Sequence, residues 1–358
     1  MKAMFKPKYN ITDSIVSNLT AIAEAKAVID RAKILPQHEL KLRRQALARS
    51  THSSTAIEGN MLTLHQVEDV LGHKKVDAPS RAIHEVENYI TAMRYINKLV
   101  KAQRPVTAKS LLHIHKLITE QTLPVAESGT YRKVPVYVVR RRLGQSPQIM
   151  YTGPLAQRVP KLVGDLVQWI NNSANQDIHP VIAAGVVHQE VAAIHPFTDG
   201  NGRTARALAT LVLYQQGYDF RRLFALEDYY NEDRPAYYTA INTGKNYDAR
   251  QADLTQWLEY FVQGFKHEII SVKNRVVSLS AKGLGRKEGK TDIEPVFLNQ
   301  DQLKVIDFIE HTGRITTSDV TDIFSCPKRT AQLYLKKLKE AEIIKAIGKG
   351  RATYYVLA

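Results

Sequence analysis

The chain has 358 residues, 50 Lys and Arg against 35 Asp and Glu, a formal net charge of +15, and one cysteine, Cys326. A single cysteine excludes an internal disulfide framework and a multi-cysteine metal cage, the charged start argues against a signal peptide, and no apolar run nears the roughly 18 residues that span a bilayer. The composition leads us to expect a soluble, cytoplasmic, globular protein of two or three domains, with no membrane partner and a polyanion as its natural ligand.

Apolar spacing of three and four predicts helices near 12–31, 37–53, 64–71, 80–101, 107–119, 155–172, 178–194, 203–217, 231–243 and 251–281. Pro36, Gly59-Asn60, Pro105 and Pro180 punctuate them. Val134 to Val139 is β-branched and aromatic, Arg140 to Ser146 is polar, and Ile149 to Tyr151 is apolar again. That order predicts a hairpin, with Pro135 favouring an edge strand. Ser280 to Thr291 is basic and glycine-containing and reads as a linker.

Beyond Phe297 the pattern is compact again. Leu303, Val305, Ile306 and Ile309 mark a helix ending at Gly313, and Thr317 or Ser318 offers the cap of a short second helix. A third helix follows Pro327, with Ala331, Leu335 and Leu338 against Lys328, Arg329 and Lys336. Residues 343–347 and 353–357 predict a second hairpin, with Lys349 and Arg351 at its tip. This segment resembles a winged helix-turn-helix domain, which raises DNA as a partner. The expected divisions are 1–100, a helical region; 101–264, a core; 265–298, a helix end and basic linker; and 299–358, the winged-helix segment.

The run His195-Pro196-Phe197-Thr198-Asp199-Gly200-Asn201-Gly202-Arg203-Thr204-Ala205-Arg206 carries the chemistry. Pro196 stops an apolar helix, so His195 sits at its exit. Two glycines let successive N–H groups face one concave side, a nest for anions. A helix starting at Gly202 or Arg203 would turn its positive end to the same place. Arg203 and Arg206 can clamp phosphates, and Asp199 can hold Mg²⁺ beside phosphate oxygens. His195 can take a proton from a hydroxyl near neutral pH. A zinc reading through His188 and His195 with Asp199 or His179 is weaker, because seven residues separate the first two by about two turns.

These twelve residues resemble the complete signature of the Fic family, His-Pro-Phe-x-Asp/Glu-Gly-Asn-Gly-Arg-x-x-Arg, and the resemblance extends over about 10–262. It implies a mainly α fold, a Fic-type helical bundle with a β-hairpin flap. It implies transfer of AMP from ATP, with Mg²⁺, to a Ser, Thr or Tyr hydroxyl of a target protein, the enzyme itself included. On this resemblance His195 is the base and Asp199 the metal ligand. Gly200, Asn201 and Gly202 hold the inner phosphates, Arg203 and Arg206 the outer ones, and Thr204 and Ala205 complete the nucleotide-binding run. Gly129 to Arg132 resembles the segment before the flap, where Val136, Val138 and Tyr151 would dock the target as an added strand. Asn242 would lie near the nucleotide, and Tyr229, Tyr230 and Tyr238 are weighed between adenine stacking and core.

Ser54-Thr55-Ala56-Ile57-Glu58-Gly59-Asn60 resembles the family's inhibitory motif. The resemblance implies that Glu58 pairs with Arg206 where the γ-phosphate should lie, with Ser54 steadying the contact. Two other readings stay open: a DNA-binding regulator that uses the core as a nucleotide sensor, and removal of AMP by the same site. The target, the direction of transfer and the oligomeric state, a homodimer among them, are not legible in the sequence.

Overall fold

The structure is a computed structural model that describes residues 5–140, 148–173, 177–249, 253–284, 300–341, 343–348 and 350–357. Its first helix, α1 (Asp13–Arg31), is capped by the Thr12 hydroxyl, which accepts from Ile15 N. Helix α2 (Pro36–Ile57) begins on a proline, whose missing N–H costs nothing in a first turn, and ends at Glu58, with Gly59 at φ 96°. Helices α3 (Leu64–Leu71), α4 (Ser80–Lys101) and α5 (Ala108–Thr119) follow, α3 and α5 each starting with a reciprocal capping box. Strands β1 (Tyr137–Arg140) and β2 (Gln148–Thr152) pair antiparallel, with the register shifting between Val138 and Val139. The turn residues 141–147 lie outside the described residues.

After α6 (Val159–Ser173) come α7 (Pro180–Ile194) and α8 (Asn201–Gln215), packed against each other at the centre. Helix α7 is apolar almost all round because it is buried almost all round. Helices α9 (Leu226–Glu232) and α10 (Arg234–Ile241) lead to the long α11 (Thr255–Leu284), which packs along α1. One apolar cluster runs from Ile15 to Val276, so the divisions expected at 100 and 264 separate no cores. Helix α11 passes straight through the second of them. A satellite cluster of Ala48, Leu62, Val67, Val70, Val86 and Ile90 fixes α2 against α3 and α4.

The C-terminal lobe comprises α12 (Gln300–Thr312), α13 (Thr317–Phe324), α14 (Lys328–Glu340) and the antiparallel pair β3 (Ile344–Ile347) and β4 (Tyr354–Leu357). Ile315 bridges Tyr355 through two main-chain bonds, and Ile306, Ile309, Val320, Leu335 and Leu338 fill a separate core. Lys349, expected at the hairpin tip, lies outside the described residues, as does the Arg351 side chain.

Three sequence boundaries need correction. The helix expected at 231–243 is two helices, because Asp233 takes a non-helical conformation (φ −135°, ψ 76°) and its carboxylate caps α10 at Ala236 N. The cap of α13 is Thr316, one residue before the expected pair. Helix α8 starts at Asn201 after Gly200, which takes the left-handed φ of 74°. No helix among the described residues is long and apolar enough to cross a membrane.

Candidate active site

The loop between α7 and α8 is built from His195 to Gly200. His195 ends α7 in the left-handed region, at φ 48°, a conformation that costs a non-glycine residue about 1 kcal/mol and so must be held by its surroundings. Arg132 holds it. This buried guanidinium donates through Nε to the His195 carbonyl at 2.7 Å, and through its two terminal nitrogens to Val134 O and Pro154 O. Its own N–H donates to Pro196 O. One side chain thereby ties the hairpin's base to the loop.

His195 Nδ1 lies 3.2 Å from Ala192 O, an acceptor only, so Nδ1 carries the hydrogen and Nε2 is left with a bare lone pair. Burial lowers the His195 pKa, against the Ala192 bond and the Glu58 carboxylate, which raise it. The imidazole is therefore neutral at neutral pH and can accept a proton.

His115 supports the loop from α5. Its ring stacks on Phe197 at 3.6 Å, Nδ1 accepts from Gly129 N, and Nε2 donates to the Asp199 carbonyl. Burial pulls its pKa down to about 4. Sequence reading missed this role, and the available signal was a histidine on the buried face of a predicted helix. Asn201 is spent inside the loop as well: its amide accepts from Phe197 N and donates to Phe197 O. Its side chain therefore cannot hold phosphate, although its main-chain N–H faces the helix end.

Thr204 and Ala205 depart from expectation. The Thr204 N–H and hydroxyl both donate to Gly200 O, and Ala205 is buried in the core. Neither side chain offers a donor to a nucleotide. The open N–H groups of the first turn are those of Asn201, Gly202 and Arg203, since the fourth already closes the helix.

Glu58 lies over this helix end. A Cβ at residue 202 would collide with Glu58 Oε1, so only glycine admits the carboxylate there. Arg206 donates through Nη2 to Glu58 Oε1 at 2.9 Å and to Ser54 O at 2.8 Å, and through Nε to Ser54 Oγ at 2.9 Å. Burial opposes the Arg206 charge, and the Glu58 carboxylate more than offsets it, so the guanidinium is held further toward its protonated form. Tyr238, on α10, donates to Ile57 O and pins the end of α2.

Arg203 is buried yet weakly partnered. Its nearest carboxylates are Asp199 at 3.8 Å and Glu85 at 4.0 Å, and its Nε and Nη1 find no acceptor among the described residues. Asp199 is half-exposed, accepts from Gly200 N, and lies 3.6 Å from Arg81. Arg81 and Glu85, both on α4, were not anticipated.

The remaining expected residues divide. Val138 is exposed on β1, and Val136 is half-buried against Gly153 just before the strand. Tyr151 is corrected: it is buried and donates to Ala193 O, anchoring β2 on α7 rather than presenting a side chain for docking. Tyr137, Val139 and Ile149 are the other exposed apolar residues of the hairpin. Asn242 is exposed at the end of α10, its side-chain Oδ1 accepting from Gly244 N. Tyr230 belongs to the core, stacked on Tyr237, whereas Tyr238 faces Glu58. His179 caps α7 with one nitrogen and meets Tyr218 with the other, and His188 meets Tyr237. Among the described residues no group of three His, Cys, Asp or Glu side chains is gathered as a metal would need.

Open main-chain N–H groups at a helix start, two buried arginines and a neutral imidazole thus meet where α7 turns into α8. Residues 105–213 match the family model described as Fic/DOC family. The chain is 32% identical over 209 residues to "Protein adenylyltransferase Fic" of Drosophila grimshawi, covering 56% of this chain and 38% of that protein. The Drosophila virilis protein of the same name is likewise 32% identical over 209 residues, at 56% and 37% coverage. The chain thus spans less than two-fifths of the length of these relatives. A crystal structure of a Fic family protein from Desulfovibrio desulfuricans G20 aligns over 99% of this chain and 98% of its own, with 26% identity and a TM-score of 0.63. Fic-1 from C. elegans (residues 134–508) shares the fold, with 22% identity, a TM-score of 0.57, and 75% and 73% coverage. Residues 105–213, which hold this site, are thus similar to the Fic/DOC family.

Proposed function

We propose that the protein is a protein adenylyltransferase that transfers AMP from ATP to a side-chain hydroxyl, Ser, Thr or Tyr, of a target protein or of itself, and that Glu58 inhibits it in cis. The observation that carries this reading is the pairing of His195, its Nε2 bare, with a helix end whose anion position is filled by Glu58. The names of the relatives support the reaction class.

In the reaction, the target hydroxyl oxygen attacks the α-phosphorus of ATP. His195 Nε2 takes the hydroxyl proton. The bond to the bridging oxygen breaks, and pyrophosphate leaves with the electron pair. The N–H groups of Asn201, Gly202 and Arg203 hold inner phosphate oxygens, and Arg203 and Arg206 neutralise outer ones. Phosphoryl chemistry needs positioning and charge more than covalent help, so this set suffices. Asp199 is one carboxylate with an exposed edge, a donor set that fits Mg²⁺ arriving with the nucleotide rather than a protein-only cage. The ion would neutralise phosphate charge.

At rest Arg206 is held by Glu58 and Ser54, so ATP cannot place its γ-phosphate on that guanidinium. The hairpin's exposed edge, Val138 included, is the surface offered to the target main chain. We further propose that the C-terminal lobe is a winged helix-turn-helix domain, with α14 presenting Lys328, Arg329 and Lys336 outward to DNA. Incubation with α-labelled ATP and Mg²⁺ tests the main reading: label should enter protein, and His195→Ala should abolish it. A protein that binds ATP but never labels any substrate or itself, even as Glu58→Gly, would instead support a nucleotide sensor.

A further inference from the structure

A cavity of about 100 Å³ lies where the C-terminal lobe meets the helical body. Helices α2 and α4 and the end of α8 form its floor, and Ile309, Gly313, Val356 and Leu357 close it from the lobe. It is distinct from the catalytic loop, none of whose residues lines it. Sites between domains are common places for small ligands.

Four arginines line this seam: Arg43, Arg44, Arg94 and Arg222. Two of them have answers. Arg43 pairs with Glu39 at 2.7 Å, and Arg44 donates to Leu357 O. Arg94 and Arg222 have no carboxylate partner among the described residues. The Arg94 guanidinium lies flat beneath Gly313, in the space a Cβ would need. Burial pulls its pKa down. Arg222 rests over the Tyr214 ring, 5.8 Å from its centroid. The single carboxylate on the wall, Glu227, is buried and accepts from Tyr89 OH at 3.0 Å. Burial raises its pKa, against the bonds from Tyr89 and Ser50 and the Arg206 charge, which lower it.

We propose that the seam is a binding site for a small phosphate-class oxyanion, held by Arg94 and Arg222. A water needs about 10–15 Å³ of such space, so the cavity has room for a tetrahedral oxyanion. Guanidinium is the side-chain group best matched to phosphate oxygens. The site bears on both halves of the molecule. Ser50 lines it from α2, one turn before Ser54, which holds Arg206. His73 and Arg44 fasten the lobe beside it, through Gly313 O and Leu357 O. An oxyanion here completes the contact between the lobe and the helix that carries Glu58. Free phosphate and pyrophosphate are the two sources of this chemistry, the second being the by-product of the proposed reaction.

The test is calorimetric titration of the full chain with sodium phosphate and with sodium pyrophosphate, at fixed ionic strength set by chloride. Saturable binding is expected, weakened about tenfold or more by Arg94→Gln and by Arg222→Gln, because each removes a charge-assisted bond. Arg203→Gln, in the first turn of α8 at the candidate active site, should leave the affinity of the seam unchanged, whatever it does to anion binding at that other site. Preference for phosphate or for pyrophosphate identifies the source. Absence of saturable binding by either anion overturns the proposal, as does binding lost in Arg203→Gln but kept in both seam variants. Arg222 is half-buried, so its variant carries the test if Arg94→Gln does not fold.

Discussion

Replacing Glu58 by glycine should release the site, and the size of the effect can be worked from the contact. Glu58 accepts one bond of 2.9 Å from a guanidinium that is 1% exposed, while its own side chain is 29% exposed. A hydrogen bond to a charged group contributes about 1.5–3 kcal/mol. Partial exposure of the carboxylate moves that toward the lower end, about 1.5–2 kcal/mol. If the pair must open before ATP can seat its γ-phosphate, the variant should label about 10–30 times faster. The substitution introduces no backbone strain, since Glu58 sits at φ −87°. The assay is the initial rate of AMP incorporation from α-labelled ATP with Mg²⁺, with self-labelling as the readout. Glu58→Gln, which keeps the shape and loses the charge, should fall between. Equal rates in wild type and Glu58→Gly, with His195→Ala silent, would refute the reasoning, because the pair would then oppose nothing.

Other outcomes follow from the same geometry. Ser54→Ala leaves Arg206 its bond to the Ser54 carbonyl but removes the hydroxyl, so labelling should rise by a few-fold only. Arg132→Lys keeps the charge and loses the three-way clamp on His195, Val134 and Pro154; kcat should fall while KM for ATP changes little, as steady-state kinetics would show. Burial lowers the His195 pKa, so the base stays neutral across neutral pH, and a pH–rate profile should decline only below the ordinary imidazole value. His115 has its folded pKa at about 4 and an unfolded value near 6.5, so the unfolded chain binds the extra proton between those values. Stability is complete above about pH 6.5 and falls as pH drops toward 4, by up to about 3 kcal/mol, a slope that His115→Leu should flatten in urea titrations.

Most of the fold was legible because its helices are long and amphipathic. The predicted spans for α1, α3, α4 and α5 lie within a residue or so of the observed ones. Legibility failed where tertiary contacts outweigh periodicity. Helix α9 is seven residues long, too short to display a period, and its burial comes from α2 and α11 rather than from its own pattern. The end of α2 was placed too early because Ser53, Ser54 and Thr55 look polar, yet all three are buried against the catalytic loop and α9. The divisions expected at 100 and 264 separate no cores for a related reason: α1 and α11 are some 240 residues apart in the chain and packed together in space, a pairing that no local pattern announces.

The site shows the same limit at the level of atoms. Residue types in the run 195–206 announce phosphate chemistry, but they do not say which groups are free to perform it. The Asn201 amide, the Thr204 hydroxyl and the Tyr151 phenol all resemble ligand-binding groups in the sequence, and all are consumed by main-chain partners within six residues or across to α7. What remains for the proposed nucleotide is a smaller set: three N–H groups, Nε2 of His195, and two guanidiniums. Residues remote in sequence brace the site: Arg132 behind His195, His115 behind Asp199, Ser54 and Glu58 on Arg206, while Arg203 is left weakly partnered. The loop can tolerate a strained His195 because Arg132 and His115 brace it from two sides. Because Ser50 in the wall of the seam cavity and Ser54 lie on one helix that ends at Glu58, a shift of α2 at Ser50 would reach Arg206 through both of its partners on α2, and on the proposed function that is the guanidinium that ATP would have to recover from Glu58.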